Sequence, residues 1–202
     1  MDHTLGVASP ATLEADQVLY HGTLANEFVH RFKPYPIHYK HPHTPDEPAW
    51  FANNEKFALH AAVRYTKPEK EAEIVLHTFH VYGRIHLMSL PDIENFRIFM
   101  QEQFQVYANV NGLMEALPLA RRSIDWMGLD GYALLQDAVR GEPEYVLFVK
   151  GLSKLRAKDP RVVKVVPIDK TRSMLWDTST GTQLGIYTYD DGPGALDWTI
   201  AG

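Results

Sequence analysis

Hydrophobic and polar positions alternate with two different periods along this chain. Val18-Leu19-Tyr20 is a short apolar burst that ends at His21-Gly22-Thr23 and predicts a strand. Leu24 to Phe32 reads as a short helix or turn. Lys33 to Pro48 then carries Pro34, Pro36, Pro42, Pro45 and Pro48, a density that forbids regular structure and predicts a long loop. Ala49-Trp50-Phe51-Ala52 is a second strand. Asn53-Asn54 follows and can cap a helix over Glu55 to Tyr65, with Phe57, Ala61 and Arg64 on one stripe.

Glu73 to Leu90 is strand-like, with Gly83 as a bulge or turn. From Pro91 the period lengthens. Ile93, Phe96, Met100, Phe104 and Tyr107 recur at three- and four-residue steps and predict an amphipathic helix with Pro91 in its first turn. Asn111-Gly112 breaks it, and Leu113 to Trp126 predicts another helix. Gly128-Leu129-Asp130-Gly131 is a turn into the strand Tyr132 to Leu135. Arg140 to Pro143 turns back into Glu144 to Val149, and Val162 to Pro167 is one more strand. The tail pairs Met174–Trp176 with Gln183–Tyr189 as a hairpin. Three segments follow: a flexible polar arm over 1–17, a main domain over 18–170 and a C-terminal β-hairpin extension over 171–202.

Composition narrows the chemistry. There is no cysteine, which excludes disulfides, thiolate metal sites and a cysteine nucleophile. Twenty-five acidic against twenty basic residues leave a formal charge of −5, which argues against coating nucleic acid or anionic membrane. No window approaches the roughly 18 apolar residues of a membrane span. Met1 to Gln17 has an early Asp2 and no apolar run, unlike a secretory signal. A soluble, most simply cytoplasmic, protein is expected, although an absence of cysteine equally suits a secreted effector or toxin. The usual phosphate-cradling and nucleophile-elbow glycine motifs are missing. His38, His41 and His43 could offer imidazoles to zinc, but their proline-rich loop favours solvated side chains, and no metal is expected. His77 and His80, three apart on a strand, would face opposite sides.

Three short pieces stand at strand edges: Tyr20-His21-Gly22-Thr23, Trp50-Phe51-Ala52, and Glu144 opening Tyr145-Val146-Leu147-Phe148. In this order they resemble the ADP-ribosyltransferase superfamily of the diphtheria-toxin and poly(ADP-ribose) polymerase type, over about Val18 to about Pro167. The resemblance implies an α+β fold with a split, mostly antiparallel β core and surrounding helices. It also implies NAD as substrate: cleavage of the nicotinamide–ribose bond and transfer of ADP-ribose to an acceptor, most simply a protein, with nucleic acid and small molecules also open.

The chemistry suits these residue types. The nicotinamide of NAD is already cationic, so it leaves without a general acid, and the site must stabilise an oxocarbenium-like ribose. One carboxylate close to that ribose does so. By the resemblance Glu144 is that carboxylate and His21 holds the adenosine-side ribose. Gly22 offers its backbone to the carboxamide, Thr23 supports His21, Trp50 stacks on nicotinamide, Phe51 beside it belongs to the same NAD-binding set, and Phe57 or Tyr65 supplies a second aromatic. Trp50 stands where the family carries tyrosine, and so lacks a hydroxyl. Glu142 could pair with Glu144 as in arginine-modifying relatives, and Arg31 or Lys33 could meet phosphate. The whole expectation requires His21 and Glu144 to converge on one cleft. A degenerate domain that binds NAD, ADP-ribose or a protein, an NAD glycohydrolase, and transfer of an RNA 2′-phosphate to NAD are the alternatives.

Overall fold

A computed structural model of the chain describes residues 9–25, 49–92, 95, 98, 125, 127–136, 143–189 and 195–197. The strands are β1 (Ser9–Leu13), β2 (Val18–Leu24), β3 (Ala49–Ala52), β4 (Ala72–Val81), β5 (Ile85–Asp92), β6 (Gly131–Gln136) and β7 (Glu144–Leu147). They continue as β8 (Leu155–Ala157), β9 (Arg161–Pro167), β10 (Arg172–Asp177), β11 (Thr182–Thr188) and β12 (Ala195–Asp197). The described helices are α1 (Glu55–Val63) and the single turn α2 (Val149–Leu152). The described chain is therefore mostly strand, with few helices, in an open mixed sheet. Its order is β1-β5-β6-β7-β3-β2-β4-β9-β10-β11-β12, with β8 on the far end of β4. Pairing is antiparallel throughout except between β5 and β6.

The sheet has one narrow join. Strands β2 and β4 pair over seven residues and β3 and β7 over four, but β2 and β3 meet only at Tyr20 opposite Ala52. Two half-sheets thus hinge on one residue pair. A core holding Leu19, Phe51, Phe79, Ile85, Leu87 and Leu147 spans the join on one face. On the other face α1 lays Phe57, Ala58 and Ala62 over Ile74, Leu76 and Val163.

Local chemistry explains α1. Asn54 is extended, and its side-chain oxygen accepts from the Phe57 N–H at 2.8 Å, satisfying one of the otherwise unbonded first-turn donors. Glu55 adds a negative charge where the helix dipole favours one. The helix ends at Val63, two residues earlier than its pattern predicts. Tyr65 and Thr66 instead bond back three residues, to Ala62 and Val63, in a tightened last turn ahead of Pro68. Asn54→Ala is expected to cost about 1 kcal/mol in denaturant unfolding. A loss within error of zero would show that packing alone holds this helix start.

Several expectations shift. Ser9–Leu13, read as part of a loose arm, forms β1, the outermost of the described strands, where Pro10 is tolerated because one side of β1 is unpaired among the described residues. Pro91 and Asp92, read as a helix start, continue strand β5. Val149, read as strand, opens α2. Gly83 does turn the chain, but β4 and β5 on either side do not pair with each other: the chain crosses there from one half-sheet to the other. The tail hairpin β10–β11 continues the sheet from β9 and sends Leu175 and Tyr187 into the core under α1. The proline-rich loop with Arg31, Lys33 and its three histidines, Glu142, and most of the two helices expected over 91–126 lie outside the described residues. No helix among the described residues is long and apolar enough to cross a membrane.

Asp130 ties the second half of the chain together. Its side chain is fully buried and accepts from the His86 N–H at 2.8 Å and from Lys154 Nζ at 2.5 Å, with Lys150 Nζ at 3.7 Å. Its backbone N–H donates to the His86 carbonyl, and its own carbonyl accepts from Phe148. Gly131 beside it must be glycine, since a Cβ would stand 2.1 Å from the Val146 carbonyl oxygen. A second buried carboxylate, Asp177, caps the β10–β11 turn. Burial pushes its pKa up, but bonds from Ser179 and Thr180 and the Arg161 charge more than offset this and hold it below the usual range. Arg161 also pairs with Glu55 at the start of α1.

Candidate functional site

The three motif-bearing strands are neighbours: β7, β3 and β2 lie side by side although Glu144 is more than ninety residues from Trp50 in sequence. Glu144 stands opposite Ala52, and Ala52 opposite Tyr20, in one row across the sheet. Residues directly opposite share a face, so Glu144, Ala52 and Tyr20 do. Trp50, two residues along β3 from Ala52 and opposite Val146, lies on that face as well. Both Glu144 and Trp50 are half-buried.

His21 follows Tyr20 and leaves β2 on the other face. Its register partner on β4 is His77, and its ring lies 5.7 Å from Phe51 and 6.3 Å from His77. Nδ1 donates to the Trp50 carbonyl at 2.5 Å, since a carbonyl can only accept. This bond crosses the narrow join just where strand pairing has stopped. It also sets the tautomer: with the proton on Nδ1, Nε2 of the neutral ring is an acceptor.

The convergence of His21 and Glu144 on one face, which the sequence reading requires, is therefore not what strand register produces at the join. Trp50 and Glu144 are brought together. His21, Thr23 and Phe51 are grouped on the opposite side, in and beside the apolar core that holds Phe79. Thr23 is buried and does not support His21, for its hydroxyl has no hydrogen-bond partner among the described residues. Phe57 is on the sheet-facing side of α1, buried in the core. Tyr65 stands beyond the end of α1 and is 65 % exposed, its hydroxyl accepting from Arg64 at 2.8 Å.

Gly22 has a different reason to be glycine than the one expected. A Cβ there would stand 2.4 Å from the Ala58 carbonyl oxygen and 2.9 Å from the Ala62 methyl. The close approach that glycine permits is made by α1, which sits directly on β2. The helix, not a ligand, occupies that face of Gly22.

His77, which the sequence places on a strand without a role, stands beside the site. His77 is 3 % exposed and stacks near Phe79, and burial, with the neighbouring His21 ring as the lesser cause, holds its pKa far down, at about 3. Alternation places it inside, but which strand lies beside it is not a local property. Its titration has a definite sign. The unfolded chain protonates His77 near pH 6.5, while the folded chain resists until about 3, so between these values the unfolded state binds the extra proton. Stability is complete above about 6.5 and falls toward 3, by at most about 1.4 kcal/mol per pH unit from this residue. His77→Phe is expected to flatten the wild-type slope between pH 6 and 4 in denaturant titrations. Parallel slopes for the two proteins would remove His77 from the account.

The arrangement offers a carboxylate and an indole on one face and a tautomer-locked imidazole bridging two half-sheets behind them. No family model matches this chain, and no curated protein matches it.

Proposed function

We propose that this chain is an NAD-dependent mono-ADP-ribosyltransferase whose site is built on β7, β3 and β2. The observation that carries the reading is the adjacency of those three strands. Three motif pieces far apart in sequence come to lie side by side in space, with a nearly unpaired join between two of them. That join supports a split core of the ADP-ribosyltransferase kind. Glu144 would supply the negative charge that a ribosyl cation needs, and Trp50 on the same face would give a flat surface for nicotinamide. Glu144 and Trp50 fit NAD. Gly22 fits it less well, because α1 already covers one side of its backbone.

The covered Gly22, together with the opposed faces of His21 and Glu144, favours a second reading: a domain of the same fold that binds NAD, ADP-ribose or a protein and turns nothing over. Release of labelled nicotinamide from NAD separates the two. The transferase reading expects release that rises with an acceptor-containing lysate and yields an ADP-ribose adduct by mass spectrometry. Release of free ADP-ribose alone would make it a glycohydrolase, and no release with measurable NAD binding would make it the binder.

A further inference from the structure

Beyond the end of α1 lies a cavity of about 480 Å³, within the range of small-molecule sites. Its floor is apolar, with Val165 fully buried and Leu24 and Val166 partly so. Tyr65 forms a wall; the Arg64 guanidinium lies 4.8 Å from the centre of its ring, which is otherwise largely open. Lys67, Lys70 and Lys164 stand at the rim, and among the described residues their ammonium groups make no ion pair or hydrogen bond. Two carboxylates join them, Glu71 and Glu73, the latter directly across from Lys164 in the β4–β9 register.

We propose that this cavity binds a nucleoside 5′-monophosphate. Each part of such a ligand meets a group suited to it. A planar base can stack on Tyr65 and lie over the valine floor, which costs the protein little because the ring is already exposed. A phosphate dianion can draw on these uncommitted lysines at the cavity rim. Glu71 and Glu73 can accept from ribose hydroxyls or an exocyclic amine. A purely apolar ligand would leave the lysines unused, and inorganic phosphate alone would leave the aromatic wall and floor unused. The site is separate from the Glu144–Trp50 face and does not depend on the NAD reading.

The test titrates the full chain with AMP by calorimetry at low salt, beside adenosine and inorganic phosphate. Saturable AMP binding is expected, tighter than either fragment. The triple variant Lys67→Gln, Lys70→Gln, Lys164→Gln should bind AMP about tenfold more weakly or worse. Tyr65→Ala should weaken AMP and adenosine but not phosphate. These side chains are exposed, so the variants are expected to fold, which circular dichroism checks. Absence of saturable AMP binding, equal binding by the triple variant, or adenosine binding as tightly as AMP would each overturn the proposal.

Discussion

Asp130→Ala should cost this protein about 3 kcal/mol of unfolding free energy, measured by guanidinium titration at neutral pH. The side chain it removes is wholly buried and holds three partners: the His86 amide, Lys154 and, at longer range, Lys150. Deleting it leaves the amide donor unmatched and the Lys154 ammonium, itself only about a quarter exposed, without its counter-charge. The loss is larger than for a surface pair because water cannot fully replace the carboxylate. Asp130→Asn keeps an acceptor for His86 and loses only the charge, so it should cost about half as much. If alanine cost less than about 1 kcal/mol, the lysines would have to be reaching solvent, and Asp130 would not be what joins β5, β6 and α2.

Glu144→Gln is the second large effect, and it is on rate, not stability. If the face shared by Glu144 and Trp50 holds the reacting ribose, removing the charge while keeping the shape should slow nicotinamide release about 10²- to 10³-fold. Unfolding free energy should scarcely change, since Glu144 is half-buried at a strand start and glutamine fills the same volume. The pair of measurements matters. A fall in both would describe a structural residue, whereas an unchanged rate would favour the binding-module reading. Trp50→Ala should act mainly on apparent NAD affinity, since stacking contributes to ground state and transition state alike.

Much of the secondary structure was legible because it is local. Asn54 caps α1 through a bond to a residue three positions away, and the hairpin turn at Asp177 closes through bonds to Ser179 and Thr180. The strands around His21, Trp50, Glu144 and Val163 follow from alternation and β-branched content, which any window of a few residues displays. The errors are also physical. The polar segment Ser9–Leu13 has weak strand character of its own and becomes β1 by pairing with β5. Pro91 looks like a helix start because its fixed φ suits one, yet it lies within a strand near its end, which the same φ also allows.

The candidate site divides along the same line. The residue types at 20–23, 50–52 and 144 pointed to one chemistry, and the row from Glu144 through Ala52 to Tyr20 is where those pieces meet. Which side chains share a face was not legible. A one-residue step along β2 reverses the answer for His21, and the register between strands so far apart in sequence is set by many cross-strand contacts worth fractions of a kcal/mol each. Phe57 and Tyr65 show the same limit: both are aromatic and both lie on or just past one helix, but packing buries one and leaves the other at a cavity edge.

By itself, then, the sequence determined where most of the central strands and the capped helix form, that the chain carries no thiol chemistry, and which short pieces could act together. The tertiary structure decided that β7, β3 and β2 are neighbours, that α1 closes over Gly22, and that His21 bonds Trp50 across the join while Glu144 faces the other way. The reason is range. Capping and alternation are written in bonds between near neighbours, whereas strand partners and faces depend on contacts that exist only once the whole sheet has assembled.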